Sequence, residues 1–223
     1  MPTAPLRHPS VTQALRVLYP LWIAAGIVNL VYVPSVLVDA ADPAATAAAI
    51  ANREGLFRLS VLVGVASQVI YAYVAYLFYV VLRRAGPPRA LAMLLLALLS
   101  VPLSLACEAF GLHALADLGG AAAVDHALAA QTELRLQASL FWGLWLVPLG
   151  QLGVRAGLIP SWVAWGLYAT CVGYVGLLTL HILGIDSEVL AGVLGALQLG
   201  ELLFIGYVLV RGVRTELAAP GRA

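Results

Sequence analysis

Six stretches of this chain run for about the length of a bilayer crossing with almost no charge, and that pattern decides the class of fold. They cover roughly residues 17–38, 59–82, 90–112, 136–155, 161–183 and 189–210. A helix needs about 20 apolar residues to cross a hydrocarbon core, where an unbonded backbone group has no water to turn to. None of the six alternates apolar and polar side chains as a lipid-facing barrel strand would. The 223 residues are 62% hydrophobic and 10% charged, against about a quarter charged in soluble domains. Mean hydropathy is +0.96. The expected fold is all-α, a polytopic transmembrane helical bundle of six helices over residues 17–213. Residues 1–16 and 214–223 flank it as a cytoplasmic segment and tail. The first apolar run is longer than the 7–15 residues of a cleaved signal, so it is expected to remain as a helix.

Charge sets the expected orientation. All twelve basic residues are Arg. With a cytoplasmic N-terminus, Arg7, Arg16, Arg83, Arg84, Arg89, Arg155, Arg211, Arg214 and Arg222 fall inside, and only Arg53, Arg58 and Arg135 outside. Nine against three satisfies the positive-inside rule and puts both termini in the cytoplasm. A bacterial inner membrane is the expected location. The inner connections "RRAGPPR" and "RAGLIPS" are short turns, whereas 39–58 and 113–135 are longer and Ala-rich, each expected to hold a short surface helix. A net charge of +1 without a basic run gives no reason to expect nucleic acid. Membrane lipids and a small apolar ligand are the expected partners.

Chemistry is confined to a few polar residues inside the apolar runs. The stretch "GALQLGELLFIGYVLVRG" carries Glu201 ten residues before Arg211 and thirteen after Glu188, near mid-membrane at 1.5 Å per residue. Glu108 lies nineteen residues beyond Arg89, roughly 28 Å along its helix. A charged side chain at the bilayer centre costs about 2.5–3.5 kcal/mol on insertion scales, so each acid must face the bundle interior and hold a proton or a partner. Gln198 shares a helix face with Glu201 (i, i−3), as Gln68 does with Tyr71 and Trp142 with Trp145. With Tyr174 and His181 these residues form the candidate binding set. Taken singly, the glutamines could be no more than interhelical hydrogen-bonding contacts. Cys107 and Cys171 are isolated in apolar runs and read as packing residues. No metal motif or phosphate loop is present, so no metal or cofactor is expected. Arg58 is expected to pair with Glu54 (i, i−4) or Glu133.

The segments "IANREGLFRLSVL" (50–62) and "LFWGLWLVPLGQLGVRAGLIPSWVAWGLYATCVGYV" (140–175), with the closing "GELLFIGYVLVRGV", resemble a family of bacterial membrane proteins. That family is catalogued as domain of unknown function 4386. The most specific block is Phe141-Trp142-Gly143-Leu144-Trp145, then Pro148-x-Gly150, then Gly157-x-x-Pro160. The resemblance implies six helices and assigns family positions to Asn52, Phe57, Arg58 and Glu201. It implies no activity.

Two functions follow from these residues. The first is a membrane protein holding a small lipid-soluble or weakly polar ligand in a carboxylate and aromatic pocket. The alternative is a membrane enzyme in which protonated Glu201 or Glu108 is the catalytic acid, for isomerisation or cyclisation of an isoprenoid-like substrate. In that case Trp142, Trp145 and Tyr174 would shield a carbocation. A third possibility is an accessory protein in which Glu201 is a structural contact. Unbroken helices without a clear repeat are expected, which speaks against a secondary transporter.

Overall fold

A computed structural model describes residues 9–39 and 41–211; Arg7, Arg214 and Arg222 lie outside them. Every regular element among the described residues is helical: α1 (Pro9–Ile27), a π-helical turn (Val28–Tyr32), α2 (Val33–Leu37), α3 (Pro43–Asn52), α4 (Glu54–Leu82), α5 (Pro87–Ala116), α6 (Ala121–Leu144), α7 (Leu146–Arg155), α8 (Ser161–Ile182), α9 (Glu188–Gln198) and α10 (Glu201–Arg211). Among the described residues, five segments are long and apolar enough to cross a membrane: Gln13–Leu37, Glu54–Leu82, Pro87–Ala116, Ser161–Ile182 and Glu188–Arg211. Their outward side chains, among them Leu62, Val69, Leu95, Val172 and Val210, are exposed, which suits lipid and would be costly in water. The chain is a multi-pass membrane protein.

The expected fourth crossing, 136–155, is not among the five. Gln137, Ser139, Gln151 and three glycines dilute its apolar content, and it is split between the end of α6 and α7. Pro148 has no N–H to offer the Leu144 carbonyl, and the helix breaks at Trp145. The surface helix expected before it is the first half of α6, continuous with residues 136–144. The shorter helix expected after the first crossing is α3, capped by Asp42 accepting from the Ala45 N–H.

Unbroken helices were the expectation, and the structure corrects it at three places. The first crossing is interrupted where the Val33 N–H reaches back five residues to Val28. Pro34 follows directly, and its ring crowds the carbonyl four residues earlier. The second break is the one at Trp145. In the third, the last crossing tightens to three-residue bonds from Leu199 to Ala196 and from Gly200 to Leu197, then restarts at Glu201. Glycine permits the contact that holds this last break. A Cβ on Gly166 of α8 would stand 2.7 Å from the Gly200 carbonyl. The Thr170 hydroxyl, bonded to the Gly166 carbonyl at 3.0 Å, also lies 3.3 Å from the Leu197 and Gln198 carbonyls at the break.

Turns at both ends use left-handed glycines. Gly157 (φ 66°) ends α7, with the Leu158 N–H on the Gly153 carbonyl and its own N–H on Val154; Gly184 (φ 63°) ends α8 in the same way. One apolar cluster fills the arginine-rich end, around Tyr19, Phe78, Trp145, Leu149 and Phe204. Another fills the opposite end, around Leu37, Ile50, Phe57 and Val124. Between them lies the polar layer of the molecule.

Candidate functional site

That layer surrounds a cavity of about 320 Å³, the size of a small-molecule site. The two carboxylates reach it from different helices, Glu108 from α5 and Glu201 from the first turn of α10. Of the other residues singled out in the sequence, Gln68, Tyr71, Trp142, Trp145, Tyr174 and Gln198 also line it. His181 does not. It sits in a separate lateral groove, its Nε2 2.8 Å from Glu133 Oε2, joining α8 to α6. Arg58 pairs with Glu54 at 2.6 Å on the exposed face of α4.

Each carboxylate is held by a residue that the sequence did not bring forward. Asn29, in the π turn, donates its amide to Glu108 Oε1 at 2.8 Å and accepts from the Ser60 hydroxyl at 2.9 Å. Asn29 is buried at the start of the π turn, whose inserted residue rotates the side chains that follow it around the helix. Gly64 leaves the room: a Cβ there would collide with the Glu108 carboxyl and stand 2.5 Å from the Asn29 amide. Glu201 Oε1 accepts from the Tyr19 hydroxyl at 3.2 Å. Arg135 of α6, which the sequence reading placed in an outer connection, also lines the cavity. Among the described residues it makes no ion pair within 4 Å.

The walls are aromatic. Tyr19 packs on Trp22 at 5.6 Å between ring centroids, Trp22 stacks on Tyr71 at 4.9 Å, and Tyr71 meets Trp145 edge-on at 5.4 Å. Trp142 and Tyr174 form a second pair at 6.2 Å. Tyr174 can come this close because Gly143 carries no side chain; a Cβ there would stand 3.0 Å from that of Tyr174.

Four buried side-chain atoms have no hydrogen-bond partner among the described residues: Gln68 Oε1, Tyr71 OH, Ser104 Oγ and Glu108 Oε2. All four residues line this one cavity. A buried polar atom left unpaired costs about 1–3 kcal/mol, and native interiors hold few of them. Glu108 also borders a smaller cavity of about 30 Å³, shared with Asn29, Ser60, Gln131 and Arg135, which is room for a water molecule.

A family model described as domain of unknown function (DUF4386) matches residues 17–212. The chain belongs to this family. No curated protein and no solved structure matches it. Most positions of the block by which this DUF4386 chain resembles its family have a structural reading. Gly143 admits Tyr174, and Gly150 lies against the Tyr168 ring, 2.8 Å from a built Cβ. Pro148 breaks the helix, Gly157 ends α7, and Pro160 precedes α8 as its N-cap. Together they place Trp142 and Trp145 on the cavity wall.

Proposed function

We propose that this DUF4386 chain is a ligand-binding protein of the bacterial inner membrane, crossing it six times with both ends in the cytoplasm. Its ligand is a small lipid-soluble or weakly polar molecule held between Glu108, Glu201 and the aromatic walls. One observation carries the reading: four buried polar atoms lack partners, and all belong to residues around one cavity. Four separate structural contacts would each be satisfied by a neighbouring helix. Gly195 offers the test. It lines the cavity, and a Cβ built on it meets nothing within 4 Å, so Gly195→Leu fills the space without disturbing the wall. Tryptophan fluorescence of the purified protein, titrated with octanol, octylamine and octanoate, should show saturable binding of at least one. Gly195→Leu should abolish it while the melting temperature is kept. No saturable binding to any of the three, or binding indifferent to Gly195→Leu, refutes the reading.

A second reading has support from the Tyr19–Glu201 hydrogen bond inside an aromatic wall. Here Glu201 or Glu108 delivers a proton to an isoprenoid-like substrate, and the rings stabilise the cation that forms. Its mark would be turnover of a polyprenyl substrate to an isomer, lost in Glu201→Gln without loss of folding.

A further inference from the structure

Three features of the cavity restrict what it can hold, on the premise that it is a ligand site. The first is charge. Among the described residues the charged groups lining it are Glu108, Glu201 and Arg135, two acids against one base. Each acid commits one oxygen to a neutral donor, Glu108 to Asn29 and Glu201 to Tyr19. That leaves the second oxygen of each without a protein partner among the described residues.

The second is the direction of the missing hydrogen bonds. A carboxylate oxygen accepts, and the Tyr71 and Ser104 hydroxyls can accept as readily as donate. A ligand rich in N–H donors satisfies them; one that only accepts leaves Glu108 unmet. The aromatic walls favour the same species, because a ring face is the negative end of its quadrupole and attracts a cation more strongly when water is excluded.

The third is the way in. Ile27 (56% exposed) and Val31 (61%) on the first crossing line the cavity, as do Leu199 (61%) and Leu202 (54%) on the last. Residues that are at once wall and outer surface mark the mouth. It therefore lies between the first and last crossings and faces sideways, into lipid. All four of these side chains are apolar, so what passes them has an apolar portion to leave in the bilayer.

We infer that the cavity binds the ammonium group of an amphiphilic amine, which enters sideways from the membrane and leaves its apolar portion at the mouth. The ammonium rests between the free oxygens of Glu201 and Glu108, against Trp22, Trp142 and Tyr174. Arg135 offsets one of the two acids, so the site takes one positive charge and discriminates against a carboxylate. The same ammonium chemistry is found in free lipophilic amines and in the headgroup of an ethanolamine lipid.

The test is the fluorescence titration with octylamine, octanol and octanoate in nanodiscs of phosphatidylcholine, corrected against empty discs. Octylamine should bind at least about tenfold more tightly than octanol, the difference expected of a desolvated cation–π and carboxylate contact, and octanoate more weakly than either. Glu201→Gln should lower octylamine affinity by about tenfold and leave octanol unchanged. Trp142→Leu should lower octylamine affinity in the same direction and serves as the test if Glu201→Gln does not insert. Repeating the titration with phosphatidylethanolamine in the discs separates the two sources. Competition by the lipid identifies a headgroup site, and its absence a site for free amines; either supports the ammonium assignment. Equal affinity for octylamine and octanol overturns it, as does tighter binding of octanoate, and both leave the ligand-binding reading standing. No saturable binding by any of the three removes both.

Discussion

The environment of Glu108 rests on residues of very different visibility. An acid in an apolar run stands out because of its insertion cost, and so do Glu201 and the Trp and Gln residues near it. Asn29 carries no charge, and it sits in a π turn that no apolar pattern signals. Gly64 contributes by having no side chain at all, and Ser60 and Ser104 are residues that membrane helices often use for packing. The Asn29–Glu108 bond is a buried contact between groups far apart in sequence, so its removal should register clearly. Gly64→Ala drives a methyl group into the Glu108 carboxyl and the Asn29 amide and should cost about 1–3 kcal/mol. Asn29→Ala should cost a similar amount, and the double variant less than the sum, because both break the same contact. Reversible unfolding in mixed detergent micelles measures all three. Strict additivity would mean that Gly64 does not make room for this pair. The exposed His181–Glu133 hydrogen bond gives a contrast, since even a charged pair at the surface is worth only about 0–1 kcal/mol.

At the scale of elements, the apolar runs locate the crossings because the 20-residue length requirement is strong and local. Their internal breaks are not written in hydropathy. Leu197, Leu199, Leu202 and Leu203 are as apolar across the last break as on either side of it; what ends α9 is the close approach of α8 to a glycine in three dimensions. The α8 face toward α9 and α10 is small for that reason. A Cβ on Gly173 would stand 2.5 Å from the Leu194 carbonyl, and one on Gly200 would collide with the Gly166 carbonyl. Backbone atoms cannot swing aside as a flexible side chain can. Gly200→Ala should therefore push α10 away from α8, carry Glu201 off its bond with Tyr19, and destabilise the protein by about 1–3 kcal/mol. Gly195→Ala, five residues earlier in open space, should be neutral or slightly stabilising through its higher helix propensity. Comparing the two unfolding midpoints separates close packing from propensity. Equal effects would show that the break is not held by the Gly166–Gly200 contact.

For the whole molecule, the open quantity is the number of crossings, and it turns on residues 136–155. Among the described residues five segments meet the requirements for crossing a membrane, and this one falls short through its glutamines, serine and glycines. Its surroundings support the proposed sixth crossing. Trp145, Leu146, Leu149 and Leu152 are fully or almost fully buried in the cluster at the arginine-rich end, while Ala127 and Val124 of the continuous α6 lie in the cluster at the other. A rod that belongs to both clusters runs from one end of the bundle to the other. Most of it is enclosed by neighbours, and its two exposed glutamines, Gln137 and Gln151, lie toward its ends, away from the middle of the hydrocarbon where a polar group costs most. With six crossings, Arg211 and the turn holding Arg83 and Arg84 lie on one side of the membrane, and Gly120 on the other. With five, Arg211 and Gly120 share a side. Alkaline phosphatase, active only after export, distinguishes the two arrangements. Fusion after Gly120 should be active and fusion after Arg211 inactive, in keeping with arginine on the cytoplasmic side. Activity at both positions would leave 136–155 inside the bundle without crossing, and activity only after Arg211 would invert the molecule.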